Sequence, residues 1–258
     1  MVTTCKNCNK KFIGQYCNYC GQPAHTHDIN LSYVWHEIQH GLFHIDKGIL
    51  YTTKELFTRP GHSIKEYIAG KRVKHFKPVA YLIILSTIYV LLAHLLKIEF
   101  SSGKAYITLN GVGDVKSNEV SDIVTHTIAW IKEHYAYSTL ILLPVISFST
   151  YLAFRKSKYN YLKHLILNCF IAGQRTIIFI LILPILAVVK DKEAISIIEN
   201  IETLIWLALM TWTYIQFFDN NTILKNVILT LLSYIYLFIQ AVILLIAGIA
   251  TIVFIYVK

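Results

Sequence analysis

Two cysteine pairs with metal-ligand spacing stand near the beginning of the chain. Two residues separate Cys5 from Cys8 and likewise Cys17 from Cys20, and Gly21 follows the second pair. Each CxxC turn directs two thiolates at one centre, so the two turns together supply a tetrahedral four-cysteine site of the kind that holds Zn²⁺. We therefore predict one structural zinc ion per chain. All four ligands come from protein, which leaves no open position for a catalytic water.

A second motif with metal-ligand spacing spans residues 36–40, where the sequence reads His-Glu-Ile-Gln-His. In zinc metalloproteases of the HExxH type, the two histidines bind the metal and the glutamate activates water. Here the apolar residues of the predicted helix form one stripe at helical spacing: Leu31, Trp35, Ile38, Leu42 and Ile45. His36, His40 and His44 centre on the opposite face, which favours a solvated polar face, a second metal site or a pH-responsive surface. A metalloprotease that uses His36, Glu37 and His40 remains an alternative.

The composition of the chain predicts a membrane protein. Hydrophobic residues make up 55% of the sequence, charged residues make up 15%, and the mean hydropathy is +0.51. About 20 helical residues cross the hydrocarbon core of a bilayer. Five apolar runs approach or exceed this length and are predicted as spans: Val79–Leu96, Ala136–Phe154, His164–Val189, Thr203–Phe218 and Val227–Val257. The predicted fold is therefore an all-α membrane domain preceded by a small zinc ribbon and amphipathic juxtamembrane helices.

The distribution of charge predicts the orientation of these spans. Residues 1–78 contain eleven Lys and Arg against five acids, and loop 155–163 contains four basic residues and no acid. Loop 190–202 is net acidic, and segment 97–134 is nearly balanced. Because short loops rich in Lys and Arg stay in the cytoplasm, we predict a cytoplasmic N-terminus and a periplasmic C-terminus in a bacterial inner membrane. Cysteines on the cytoplasmic side stay reduced, which favours metal over disulfides.

The predicted zinc site and the predicted spans divide the chain into three regions. Residues 1–24 are predicted to form the zinc ribbon, residues 25–78 to form cytoplasmic juxtamembrane helices, and residues 79–258 to form the transmembrane domain with an external segment at 98–134. The net charge of +9 is explained by topology and lipid contact. We find no basic face with interleaved aromatic residues, so no nucleic-acid partner is expected.

A basic cluster precedes the first predicted span. Lys71, Arg72, Lys74 and Lys77 stand just before Pro78, where cations are attracted to anionic headgroups by about 1 kcal/mol per residue. We expect membrane lipids, in particular anionic phospholipids, as partners of this cluster. An orientation anchor without specificity is the simpler interpretation. Upstream, Pro60-Gly61 predicts a turn, and Ser63 is a plausible N-cap of a short helix.

One arginine lies inside a predicted span. Arg175 is eleven residues beyond His164, about 16 Å along a helix. His164, Asn168 and Arg175 fall on one side of that helix and predict a polar seam that faces the bundle. Tyr214, Gln216 and Gln240 on the later spans are candidate partners for the seam. The seam indicates either an anion or headgroup site in a membrane cavity or an interhelical hydrogen-bond network.

Several segments resemble an uncharacterised family of bacterial membrane proteins with an N-terminal zinc ribbon. The resemblance rests on the cysteine pairs, on residues 42–52, on Leu56–Gly61 with its Phe-Thr-Arg-Pro-Gly sequence, on Tyr67–Arg72, and on residues 159–165 and 173–175. This family is a domain of unknown function, so the resemblance implies architecture and a bacterial inner-membrane location without implying an activity.

The sequence favours a non-enzymatic membrane adaptor or assembly factor. In this interpretation the ribbon and the histidine helix form a cytoplasmic docking platform for an unidentified protein partner, and no residue is assigned a catalytic role. Two alternatives remain: a transporter or lipid- or anion-handling protein built around Arg175, and the HExxH metalloprotease. We find no nucleophile–base pair and no phosphate-binding loop in the sequence.

Overall fold

The computed structural model describes residues 2–26, 29–34, 48–98, 130 and 134–256. Its elements are two strands, β1 (Val2–Thr4) and β2 (Lys11–Ile13), and the helices α1 (Gly48–Thr58), α2 (Pro60–Ile68), α3 (Pro78–Leu95), α4 (Tyr135–Ala153), α5 (Tyr161–Val188), α6 (Lys192–Phe217) and α7 (Ile223–Tyr256). Apart from residues 98, 130 and 134, the predicted external segment lies outside the described residues.

Helices α3 to α7 are long and apolar enough to cross a membrane, which confirms the predicted five-span architecture. The largest difference from the prediction concerns α6, which begins at Lys192 instead of near Thr203. The side chain of Asp191 caps this helix by accepting a hydrogen bond of 2.9 Å from the backbone N–H of Ala194. A capping carboxylate is also favoured by the positive end of the helix dipole. The acidic residues assigned to a loop therefore belong to the helix.

Three spans, α3, α4 and α6, pack against α5, and α7 packs against α4 and α6. A glycine allows the close approach of α3 and α5, because a Cβ atom at Gly173 would lie 2.6 Å from the ring of Tyr81. Small residues at such crossings let membrane helices approach closely in the absence of a hydrophobic driving force. Tyr81 is fully buried, and its ring lies 6.3 Å from that of Phe170.

Helices α1 and α2 form a hairpin that packs into the membrane bundle. Leu56, Ile64 and Tyr67 are each only 1% exposed and belong to the same apolar cluster as residues of α3 and α5. The side chain of Gln174, in the middle of α5, donates a hydrogen bond of 2.6 Å to the carbonyl of Leu56 at the end of α1. These helices are thus part of the bundle core at the ribbon end.

The N-terminus of α2 differs from the sequence prediction. Arg59 occupies the N-cap position and Pro60 is the first helical residue, so the assignment of Ser63 as N-cap is wrong. Proline suits this position because its fixed φ matches the helix and its missing N–H would have no helical partner. Ser63 lies inside the helix instead and is buried.

The hairpin contacts the end of α6 at Gly61. Its backbone N–H donates a hydrogen bond of 3.0 Å to Oε1 of Gln216, and a Cβ atom at this position would overlap the backbone of Thr213 and Phe217. Substitution of Gly61 by alanine is therefore expected to destabilise the protein by about 1–3 kcal/mol, the usual cost of overpacking. Thermal unfolding of the purified protein in mild detergent measures this effect.

Gly48→Ala provides the matched control for this prediction. A Cβ atom at Gly48 would lie 3.2 Å from the nearest atom, the backbone nitrogen of Phe76, which requires only a small shift. Alanine also favours the first turn of α1 over glycine. Equal unfolding temperatures for the two variants would contradict the proposed role of Gly61.

Candidate metal centre and intramembrane ion pair

The four N-terminal cysteines converge on one point. The sulfur of Cys5 lies 3.5 Å from that of Cys20, and the sulfur of Cys8 lies 3.6 Å from that of Cys17. All four Sγ atoms lie within 4.8 Å of one another. Four thiolates at about 2.3 Å from a tetrahedral metal ion are about 3.8 Å apart, so the sulfur positions fit a bound ion. The cluster could therefore hold a metal ion, as predicted from the spacing.

Two equivalent backbone turns position these thiols. The residue after the second cysteine of each pair has a left-handed conformation, with φ of +58° at Asn9 and +74° at Gly21. Asparagine and glycine are the residues that adopt this conformation most readily. The sequence indicated the role of Gly21, but the matching role of Asn9 is visible only when the turns are compared. A hydrogen bond from the side chain of Asn7 lowers the pKa of the Cys20 thiol to about 6, which favours the thiolate that metals bind.

The ribbon is attached to the bundle through the turn that follows α2. The side chain of Gln22 is 1% exposed and donates a hydrogen bond of 2.7 Å to the carbonyl of Gly70. Gly70 itself has a φ of +107°, and a Cβ atom there would lie 3.0 Å from atoms of Lys6 and Thr26. A buried side-chain hydrogen bond and close packing thus fix the ribbon to the membrane domain.

One face of the ribbon hairpin carries two exposed apolar side chains beside the polar Thr4 and Lys11. Val2 pairs with Ile13 across the antiparallel strands, so both side chains point to the same face, and they are 64% and 69% exposed. Phe12, on the other face, is buried against the cysteines. Tyr16 and Tyr19 are also more than half exposed. The sequence predicts a hairpin through Phe12 and Ile13, which the strands confirm, but it did not predict the exposure of Val2, Tyr16 and Tyr19.

The residues of the HExxH motif lie outside the described part of the chain. His36, Glu37, His40 and His44 all fall within residues 35–47. Their predicted roles in metal binding, pH response or proteolysis therefore stay predictions. Among the described residues, the cysteine cluster is the only group of His, Cys, Asp and Glu side chains arranged to hold a metal ion.

The four cations of the basic cluster before α3 differ in their surroundings. Lys71 forms an ion pair of 3.2 Å with Glu66, and the guanidinium of Arg72 lies 4.4 Å above the ring centroid of Tyr33. Lys74 is exposed, and Lys77 is the N-cap residue of α3. Lys71 and Arg72 thus stabilise the turn, and Nζ of Lys74 lies 5.8 Å from the ring centroid of Tyr51. Lipid binding by this cluster stays a prediction.

His75 links the basic cluster to α2. Its Nε2 lies 2.8 Å from the hydroxyl of Ser63, and its ring makes edge contacts with Tyr51 and Tyr67. Ser63 is only 1% exposed, and His75 is half-buried. The pair therefore joins the segment before α3 to the hairpin.

Burial of His75 predicts a pH-dependent stability. Burial lowers the pKa of His75 below its ordinary value, so the folded protein binds this proton more weakly than the unfolded chain does. Stability is therefore complete above the unfolded pKa of about 6.5 and falls as the pH decreases below it. The unfolding temperature is expected to decrease between about pH 7 and pH 5, and this decrease should be smaller in His75→Gln.

His62→Gln is the control for this pH dependence, since His62 lies on α2 and is exposed, unlike the half-buried His75. It should retain the slope of the wild-type protein. The charged groups that act on His75 are Glu55, Glu66 and Arg59. An unchanged slope in His75→Gln would contradict the assignment.

The first half of the predicted polar seam lies in the bundle interior. Asn168 donates hydrogen bonds to Thr150 at 2.9 Å and to the carbonyl of His164, and it accepts one of 3.1 Å from the hydroxyl of Tyr214. Tyr214 is thus a partner of the polar seam, as expected, and the residue that it contacts is Asn168. His164 is fully buried between the rings of Tyr151 and Phe218.

Arg175 pairs with an acid that sequence analysis assigned to a loop. Its Nε lies 3.5 Å from Oε1 of Glu202 on α6, and the side chain of Glu202 is only 6% exposed. The guanidinium also lies 4.3 Å from the ring centroid of Trp206 and 4.8 Å from that of Phe179. Both arrangements stabilise a cation away from water.

The other predicted partners of Arg175 have different surroundings. Gln216 accepts the hydrogen bond from Gly61, and Nε2 of Gln240 has no hydrogen-bond partner among the described residues. Because Glu202 offsets the charge of Arg175, the pair favours a tie between α5 and α6 over an open anion site. Sequence analysis did not identify Glu202 as the partner of Arg175, although Glu202 is the eleventh residue of a helix that is capped by Asp191.

Comparisons with known proteins give one family and no individual relative. No curated protein and no solved structure matches the chain. The family match includes the α1–α2 hairpin, the basic cluster and most of α3, and it agrees with the predicted resemblance to an uncharacterised family. Residues 46–90 of this membrane-spanning chain match the family described as "Protein of unknown function (DUF3667)".

Proposed function

We propose that this protein is a non-enzymatic membrane adaptor or assembly factor whose zinc-bound ribbon is a docking module for another protein. The observation that carries the proposal is the exposed apolar pair of Val2 and Ile13 on a module that is otherwise organised around the cysteine cluster. Exposed apolar residues on a small module are typical of interaction surfaces.

The chemistry of the cysteine cluster supports a structural metal. Four thiolates complete a tetrahedral shell, so no position is left for a water or a substrate. Thiolate donors favour zinc over hard cations such as magnesium or calcium. In a module this small, metal binding supplies most of the folding free energy, so the ion determines whether the docking face forms.

The attachment of the ribbon supports docking at a fixed position. The buried hydrogen bond from Gln22 to Gly70 leaves the ribbon against the turn between α2 and α3. A partner bound at Ile13 would therefore be held next to the membrane domain. Rigid presentation reduces the entropy that binding would otherwise cost.

Site-specific photocrosslinking in intact cells tests this proposal. A photoreactive residue at Ile13 is expected to give a discrete protein adduct, whereas one at Leu50, which is 79% exposed on α1, should not. The adduct at Ile13 should disappear when Cys5 is replaced by serine, because the docking face requires the metal. Adducts with lipid alone at Ile13, or equal protein adducts at both positions, would contradict a docking role.

The proposed orientation places the ribbon in the cytoplasm of a bacterial cell. Basic residues at the ribbon end of the bundle support it, since Arg155, Lys156 and Lys158 lie between α4 and α5 near the same end as Lys74 and Lys77. Short loops with this composition remain on the cytoplasmic side and contact anionic phospholipids there. Reporter fusions at both termini test the orientation, and a periplasmic ribbon would overturn it.

A further inference from the structure

A groove of about 930 Å³ lies between the second half of α3 and the first turns of α4. Its lining on α3 runs from Ile83 to His94, about 16 Å at a rise of 1.5 Å per residue, and continues with Lys97 and Ile98 beyond the end of the helix. Its walls are mainly aliphatic and aromatic and include Val90, Leu91 and Leu140. This length exceeds the roughly 15 Å thickness of one hydrocarbon leaflet, so the groove is long enough for an acyl chain.

The groove has a polar end on the side of the bundle away from the ribbon. His94, Lys97 and His134 lie there, and none of the described residues that line the groove is acidic. The ring of His134 stacks on that of Trp130 at a centroid distance of 4.6 Å. Trp130 is half exposed, and indole rings concentrate at the level of lipid headgroups. The cationic end therefore lies where a phosphate group would be.

The surface around the groove faces lipid. Leu91 and Tyr137 in its lining, and Leu95 and Ile141 on the same two helices outside the lining, are between 58% and 74% exposed. Such a band of large exposed apolar side chains on membrane-spanning helices is solvated by acyl chains. The molecule available to occupy the groove is consequently a membrane lipid.

We propose that this groove binds one anionic phospholipid. An acyl chain lies along the wall formed by Val90, Leu91 and Leu140, and the phosphate lies within reach of Lys97, His94 and His134. Lys97 favours a net negative headgroup over a zwitterionic one, because no carboxylate among the described lining residues is available for the ammonium group of a choline lipid. The site is separate from the ribbon and from the basic cluster before α3, so it does not depend on the docking role.

Native mass spectrometry of the full-length protein tests the proposal. The protein in mild detergent is incubated with equal amounts of phosphatidylglycerol and phosphatidylcholine, and the lipid retained per chain is counted. One phosphatidylglycerol is expected to be retained in preference to phosphatidylcholine. Lys97→Ala should reduce this preference by about fivefold. Lys190→Ala, an exposed cation at the same end of the bundle, should leave it unchanged.

A second pair of variants tests the apolar part of the groove. Ala136→Phe places a ring in the groove and should remove the retained lipid of either class, whereas Ile141→Phe on the lipid-facing side of α4 should not. Unfolding temperatures verify that both variants are folded. Equal retention of the two lipids by the wild-type protein would overturn the proposal. Loss of retention only in Lys74→Ala and Lys77→Ala, at the ribbon end, would overturn it as well.

Discussion

Replacement of both Cys5 and Cys17 by serine is expected to remove the bound metal and unfold the ribbon while the five apolar helices stay in the membrane. These two cysteines are each 2% exposed and, with Phe12, form the centre of the module. Structural zinc contributes about 10–16 kcal/mol to small domains of this kind, far more than so small an apolar core can supply. The variant should therefore be cut readily by protease within residues 2–26, and metal analysis should give no bound ion.

Two controls make this result specific. Cys169→Ala changes a cysteine that is buried in the bundle, away from the ribbon, and should keep one metal ion per chain. Replacement of His36 and His40 by alanine should also keep one ion if the HExxH motif binds no constitutive metal. Two ions in the wild-type protein, or one ion retained without Cys5 and Cys17, would contradict a single four-cysteine centre and favour a metalloprotease.

Removal of Glu202 has the second largest expected effect. Glu202→Ala leaves the guanidinium of Arg175 without its acidic partner inside the bundle. Breaking a buried ion pair on one side costs about 3–5 kcal/mol, and we expect a value at or below this range because the side chain of Arg175 is 31% exposed. Contacts with Trp206 and Phe179 retain part of the stabilisation. Unfolding in mixed detergent micelles measures the loss.

A double variant distinguishes the contribution of the Arg175–Glu202 ion pair from the cost of leaving one of its charges unpaired. Replacement of both Arg175 and Glu202 by methionine leaves no unpaired charge and should be more stable than Glu202→Ala, because apolar residues of similar volume often replace buried pairs without loss. Glu193→Ala, an exposed acid at the beginning of α6, is the matched control and should have little effect. Unchanged stability in Arg175→Ala would contradict a structural tie and favour an anion site instead.

The five spans and the cysteine cluster were predictable because each depends on local sequence. A run of about 20 apolar residues has no stable alternative to a membrane helix. Two CxxC turns bring thiols together almost independently of the remaining chain. The Phe-Thr-Arg-Pro-Gly segment likewise predicted the family resemblance, and the match to residues 46–90 includes it.

The partner of Arg175 was not predictable in the same way. Hydropathy falls near Glu199 and Glu202, so the apolar run was taken to begin at Thr203, although the capped helix begins at Lys192. This boundary placed the partner of Arg175 outside the membrane. Inside a bundle, an acid that faces an arginine is stabilised by that contact, which a window average over one helix does not include.

The contacts of Gly61 and Ser63 could not be predicted from the sequence either. Pro60 and Gly61 predicted a turn, but their packing against the last turn of α6 joins residues more than 150 positions apart. Ser63 shows the same limit. Its position suggested a helix cap, but its hydroxyl contacts His75 across a loop. Such tertiary contacts override the local preferences of the residues involved.

The wedged position of the α1–α2 hairpin has a consequence for biogenesis. A ribosome delivers this hairpin before any span, yet its partners Gln174 and Gln216 belong to the third and fourth spans. The hairpin must therefore wait, with Leu56 and Ile64 unburied, until at least four helices have been inserted. The α1–α2 hairpin is synthesised early but packs late, so we expect a chaperone or insertase to bind it during synthesis.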